Sequence, residues 1–130
     1  MIVDNEAAFR KGLITVLQNI TDFNLVAEAS NGAEFLDILS KNKADIVFMD
    51  IRMPIMDGIE ATRLAKLKYP ELCIYGFSSF ENKDYINKML HAGATAYLSK
   101  LSDNYDALTS ILNYHTAIQC NGNQISQKTK

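Results

Sequence analysis

The sequence predicts an α/β domain in which a parallel sheet carries helices on both faces. Three observations predict it. Short apolar runs alternate five times with amphipathic stretches. The central run, Ile46-Val47-Phe48-Met49, is apolar without interruption, as a parallel strand covered on both faces must be. The chain has 130 residues, 48% of them hydrophobic and 22% charged, which suits one globular domain and argues against disorder. A β-α order repeated five times implies right-handed crossovers. In such folds the functional crevice lies beyond the carboxyl ends of the strands, so the residue after each strand matters most.

Met1 to Val3 is a short apolar run ending at Asp4. From Glu6 onward, Phe9, Leu13, Val16, Leu17 and Ile20 recur at helical spacing. Leu25 to Ala29 reads as a second strand, broken by Asn31-Gly32. Ala33, Leu36 and Leu39 mark a second helix. The third strand, Ile46 to Met49, ends at Asp50. Met53-Pro54 interrupts regular structure, and Asp57 caps a helix running to about Lys68. Cys73 to Phe77 forms the fourth strand and ends in Ser78-Ser79. Tyr85, Ile86, Met89 and Leu90 give a fourth helix, and Gly93 suits its C-terminal end. Ala96 to Ser99 is a fifth strand, followed by Lys100. Leu108, Ile111, Leu112, His115 and Ile118 line one face of a fifth helix. His91 and His115 are expected at the surface or an interface. Residues 1–120 thus make one domain, and 121–130 form a polar, linker-like tail.

Composition excludes several classes. Thirteen Lys and Arg against fifteen Asp and Glu leave a net charge of −2, so the domain has no broad nucleic-acid footprint. Cys73 and Cys120 form no CxxC or zinc-spaced cluster and read as reduced thiols in a cytoplasmic protein. No apolar run approaches the roughly 20 residues needed to span a bilayer. The N-terminus lacks the shape of a signal peptide.

The residues at the strand ends are chemically coherent. Asp4, Asp50, a Ser78 hydroxyl and the Lys100 ammonium would converge on one sheet edge. A carboxylate can attack phosphorus to give an aspartyl phosphate. That reaction needs charge neutralisation above all, which a Lys and Mg²⁺ supply.

With those residues in place, the sequence resembles the receiver domain of two-component response regulators from Met1 to about Gln119. The resemblance is carried by Ile2-Val3-Asp4, by the segment from Phe48-Met49-Asp50 through Arg52-Met53-Pro54 to Asp57-Gly58, by Phe77-Ser78-Ser79, and by the stretch from Gly93 to Lys100. It implies a flavodoxin-like (βα)5 fold with strand order 2-1-3-4-5. It implies that Asp50 is the phospho-acceptor and that Mg²⁺ is held by Asp4, Asn5, Asp50 and the backbone carbonyl of Arg52. Ser78 and Lys100 would contact the phosphoryl group, and Tyr97 would switch between outward and inward positions. The implied partners are a sensor histidine kinase and, on activation, a second copy of the chain. Phe9-Arg10-Lys11-Gly12-Leu13 is similar to the NarL/FixJ branch, whose members carry a LuxR-type helix-turn-helix domain. DNA would therefore be bound only by a domain absent from this chain, the N-terminal part of a longer transcription regulator. Such a chain is a phosphorylatable switch and not an enzyme.

Asn5 departs from the pattern, because the family usually has Asp there. An amide oxygen ligates Mg²⁺ without supplying negative charge, so metal affinity should fall. The alternative reading is a pseudo-receiver that dimerises or binds a partner without phosphate. A phosphatase of the haloacid dehalogenase kind would need an acid two residues after Asp50, where Arg52 stands. An FMN carrier would need a hydroxyl-rich loop after the first strand, which is missing.

Overall fold

The computed structural model describes residues 1–79, 82–101 and 105–120. Its elements alternate strictly: β1 (Ile2–Val3), α1 (Ala7–Ile20), β2 (Glu28–Ala29), α2 (Gly32–Leu39), β3 (Ile46–Asp50), α3 (Gly58–Lys68), β4 (Cys73–Ser78), α4 (Lys83–His91), β5 (Ala96–Ser99) and α5 (Asp106–Cys120). The strands form one parallel sheet in the order β2-β1-β3-β4-β5, as expected. The tail expected at 121–130 lies outside the described residues. Among the described residues no helix is long and apolar enough to cross a membrane.

Strand alternation divides the core into two layers. Val3, Val47, Met49 and Ile74 face a cluster with Phe35 and Leu39 of α2, Ala61 and Ala65 of α3, and Met89 of α4. Ile2, Phe48, Tyr75 and Phe77 face the opposite cluster, with Leu13 and Leu17 of α1 and Leu108 and Leu112 of α5. Both faces of β1, β3 and β4 are therefore buried, which explains the unbroken apolar run at β3.

Two expectations need correction, and one residue gains a second role. The second strand is shorter than Leu25 to Ala29, because only Glu28 and Ala29 have strand partners, Ile2 and Val3. Asn31 begins α2 as well as breaking the strand: its side chain accepts a hydrogen bond from the Glu34 N–H, capping the helix. His115 is buried, and it shares a 2.8 Å hydrogen bond with the Tyr75 hydroxyl. Burial lowers the His115 pKa and pushes the Tyr75 hydroxyl up to about 12, so the pair is neutral. His91 is exposed, as expected.

The loop from β3 to α3 is held tightly. Asp57 caps α3 by accepting from the Glu60 N–H at 2.9 Å. The Gly58 N–H donates to the Ile51 carbonyl at 2.8 Å. A Cβ on Gly58 would lie 2.0 Å from the Asp50 carbonyl oxygen, so only glycine permits this approach. Ile55, at the tip of the loop, has a φ of 70° and is 84% exposed.

Candidate functional site

β1 and β3 lie side by side, and each delivers an acid at its carboxyl end. Asp4 is 1% exposed and Asp50 is 5% exposed, so both carboxylates are buried. The Asp4 N–H donates to the Ala29 carbonyl, which extends the β1–β2 pairing to the acid itself. Its Oδ1 accepts the Glu6 N–H at 2.8 Å, folding the β1–α1 turn around the carboxylate. Two strands from β3, β5 is followed by Lys100, whose N–H donates to the Ser78 carbonyl at 3.0 Å. That bond extends the β4–β5 pairing to the lysine itself.

The Lys100 ammonium lies 2.5 Å from Asp4 Oδ2, 3.4 Å from Asp50 Oδ1 and 3.6 Å from Glu6 Oε1. Lys100 therefore bridges the two buried carboxylates. Its side chain is only 8% exposed. Burial lowers the Lys100 pKa, but contact with Asp4 and the charge of Asp50 outweigh it, and the net direction is up. Asp50 moves the other way from an ordinary carboxylate. Burial first, and then the charge of Asp4, push it up to about 6, with Lys100 opposing both. Asp50 is thus still ionised at neutral pH.

The other expected residues fall in less uniform places. Ser78 is buried at the end of β4, one residue beyond the register partner of Asp50, Phe77. Tyr97 is half-buried on β5, and its hydroxyl donates to the Ser78 carbonyl at 3.1 Å. The Ser78 carbonyl thus ties Tyr97 to the backbone of Lys100. Asn5 is exposed, unlike Asp4 beside it. Arg52 is exposed as well, with its guanidinium 5.8 Å from the Tyr85 ring centroid.

The donor set suits a hard cation. Apart from Lys100, Asp4 Oδ2 has no partner among the described residues although it is buried. Two converging carboxylates offer the oxygen ligands that Mg²⁺ prefers.

Three residues outside the expected set add to the geometry. Arg10 on α1 donates to the Asp4 carbonyl at 2.5 Å and to Glu28 Oε1 at 2.9 Å, clamping the β1–α1 turn to β2. Glu6 adds a third carboxylate beside Lys100. The Phe9 ring faces the Lys100 ammonium. The only signal for them is position, within one or two helical turns of a strand end that carries an acid.

Comparison with known proteins gives a consistent result. A family model described as the response regulator receiver domain matches residues 1–113. The transcriptional regulatory protein DegU of Brevibacillus brevis is 32% identical over 103 residues, covering 79% of this chain and 44% of that protein. LnrK of Bacillus subtilis, also a transcriptional regulatory protein, is 34% identical over 100 residues, 77% of this chain and 46% of its own length. The chain therefore spans about half the length of these curated relatives. A LuxR-family two-component response regulator from Aurantimonas sp. SI85-9A1 superposes with a TM-score of 0.82 at 28% identity, covering 90% of this chain and 84% of that one. The response regulator protein TrrA of Thermotoga maritima, solved in complex with Mg²⁺-BeF, gives a TM-score of 0.75 at 27% identity, covering 87% of this chain and 94% of its own.

Proposed function

The chain belongs to the response regulator receiver domain family, and from that premise we propose that Asp50 accepts a phosphoryl group from a histidine kinase. The observation that carries the reading is the Lys100 ammonium set between Asp4 and Asp50, at 2.5 and 3.4 Å, on a buried sheet edge. A carboxylate oxygen of Asp50 attacks phosphorus as the phosphorus–nitrogen bond to the kinase imidazole breaks. The electron pair stays on the ring nitrogen, which takes up a proton, and the product is an acyl phosphate. Phosphoryl transfer depends chiefly on positioning and on neutralising charge. The buried Asp50 meets the donor as a carboxylate, and Lys100, 3.4 Å from it, would pair with the incoming oxygens.

Mg²⁺ would be held by Asp4 and Asp50, by the Arg52 backbone carbonyl and, through an amide oxygen, by Asn5. When bound, it supplies positive charge to the transferring phosphoryl oxygens. The family resemblance and the Mg²⁺-BeF complex of TrrA support that assignment.

The modification adds about two negative charges and three acceptor oxygens. The Ser78 hydroxyl donates a hydrogen bond to one of those oxygens. Tyr97, already bonded to the Ser78 carbonyl, follows and changes the surface that α4, β5 and α5 present. This is a shift between two packings, one of which binds the phosphoryl group better. The output is dimerisation or release of a helix-turn-helix domain outside this chain, and through it control of transcription in the cytoplasm. The chain itself acts as a switch and at most assists its own modification.

The test is incubation with Mg²⁺ and acetyl phosphate, followed by intact mass. One added phosphoryl group, abolished by Asp50→Asn, is expected. No gain, or a gain that survives the substitution, refutes the reading. In that case the exposed, uncharged Asn5 favours the pseudo-receiver, a dimerisation or interaction module independent of phosphate.

A further inference from the structure

The Lys100 ammonium has a neighbour that none of its carboxylate contacts explains. It sits over the face of the Phe9 ring, 4.2 Å from the centroid. Phe9 lies on α1, just past the turn that carries Asp4. Its ring meets Phe77 of β4 edge to face, with centroids 5.7 Å apart at 62°. Phe77 meets Phe48 of β3 in the same manner, at 5.7 Å and 63°. Phe77 is also the register partner of Asp50. The ring under the lysine is therefore fixed by the same two strands that present Asp50 and Ser78. Carboxylates and a π face surround the ammonium, and little of the side chain reaches water.

We propose that Phe9 is a positioning residue for Lys100, holding its ammonium against Asp4 and Asp50 from the opposite side. A ring face attracts a cation within about 6 Å of its centroid, and more strongly when the cation is desolvated. An aliphatic side chain of similar size fills the space without that attraction. Phe9 acts only through Lys100. The consequence for rate rests on the phosphoryl-transfer reading above; the contact itself does not.

The experiment uses the full chain with Phe9→Leu, Phe9→Trp, Lys100→Met and the double variant Phe9→Leu/Lys100→Met. The rate of Asp50 modification by acetyl phosphate with Mg²⁺ is measured for each. The Lys100 ε-methylene protons are followed by NMR, since a ring face shifts them upfield. Phe9→Leu should slow modification by about 3- to 30-fold, from the usual strength of a partly to fully desolvated cation–π contact. Phe9→Trp should restore it. In the Lys100→Met background, Phe9→Leu should change the rate less than twofold, which mere loss of packing would not produce. The ε-methylene signals should move downfield in Phe9→Leu alone. If the Leu variant is unfolded by circular dichroism, Phe9→Met takes its place. A Leu variant as fast as the parent, or one slowed equally with and without Lys100, overturns the proposal. If the parent chain takes up no phosphoryl group, the function reading has failed and the NMR signals decide alone. The mobility of the Lys100 ε-methylene in Phe9→Leu, read by NMR relaxation, is then the measure: a looser side chain upholds the positioning role, and unchanged mobility overturns it.

Discussion

Replacing Asp50 by Asn should stabilise the metal-free domain, and the gain should depend on pH. Burial and the Asp4 charge raise the Asp50 pKa from an ordinary 3.8 to about 6 in the folded state. Between those values the folded chain holds a proton that the unfolded chain has released. Stability therefore falls as pH rises through that window, and the full penalty is present above it. A shift of about two units corresponds to roughly 3 kcal/mol. An amide in place of the Asp50 carboxylate stays neutral and is similar in shape, so the variant should gain about 3 kcal/mol at pH 8 and under about 1 kcal/mol at pH 4. Lys100 keeps its contact with Asp4 at 2.5 Å, so the substitution does not strand the ammonium. Urea unfolding in EDTA at several pH values measures both free energies, and an unchanged m-value confirms that the same surface is exposed. A gain of equal size at pH 4 and pH 8, or a loss at pH 8, would refute the reasoning.

Three further outcomes follow from the packing. Gly58→Ala should cost more than about 2 kcal/mol, since its Cβ meets the Asp50 carbonyl at 2.0 Å and backbone must move; thermal melting reads this directly. Ile55→Asn should raise stability by about 1 kcal/mol, because an exposed β-branched residue at φ 70° is strained and Asn tolerates that region. A lower melting temperature for this variant would contradict it. Tyr75→Phe should cost about 1–3 kcal/mol by leaving the buried His115 nitrogen without its partner, and a variant as stable as the parent in urea would exclude that role.

Much of the site was legible because its acids end strands. Asp4, Asp50 and Lys100 each follow an apolar run, and a parallel sheet brings those ends to one edge whatever the loops do. Asp57 was legible as a cap for a similar reason, since capping is local. His115 was not. Its helical spacing places it on the apolar face of α5, but its burial requires the Tyr75 hydroxyl forty positions away. Arg10 and Phe9 were missed because nothing near them in the sequence names their partners, Glu28 on β2 and Lys100 beyond β5.

Periodicity, punctuation by Gly, Pro and Asn, and the residue types at the strand ends determined five β-α units and a pair of carboxylates. Those signals are local: side-chain period and backbone preference act over a few residues. Tertiary structure decided which acid the lysine touches, how far Asp50 is pushed toward neutrality, and which ring lies under the ammonium. Each of these depends on distances between β1, β3, β5 and α1, and on how little water reaches the space they enclose.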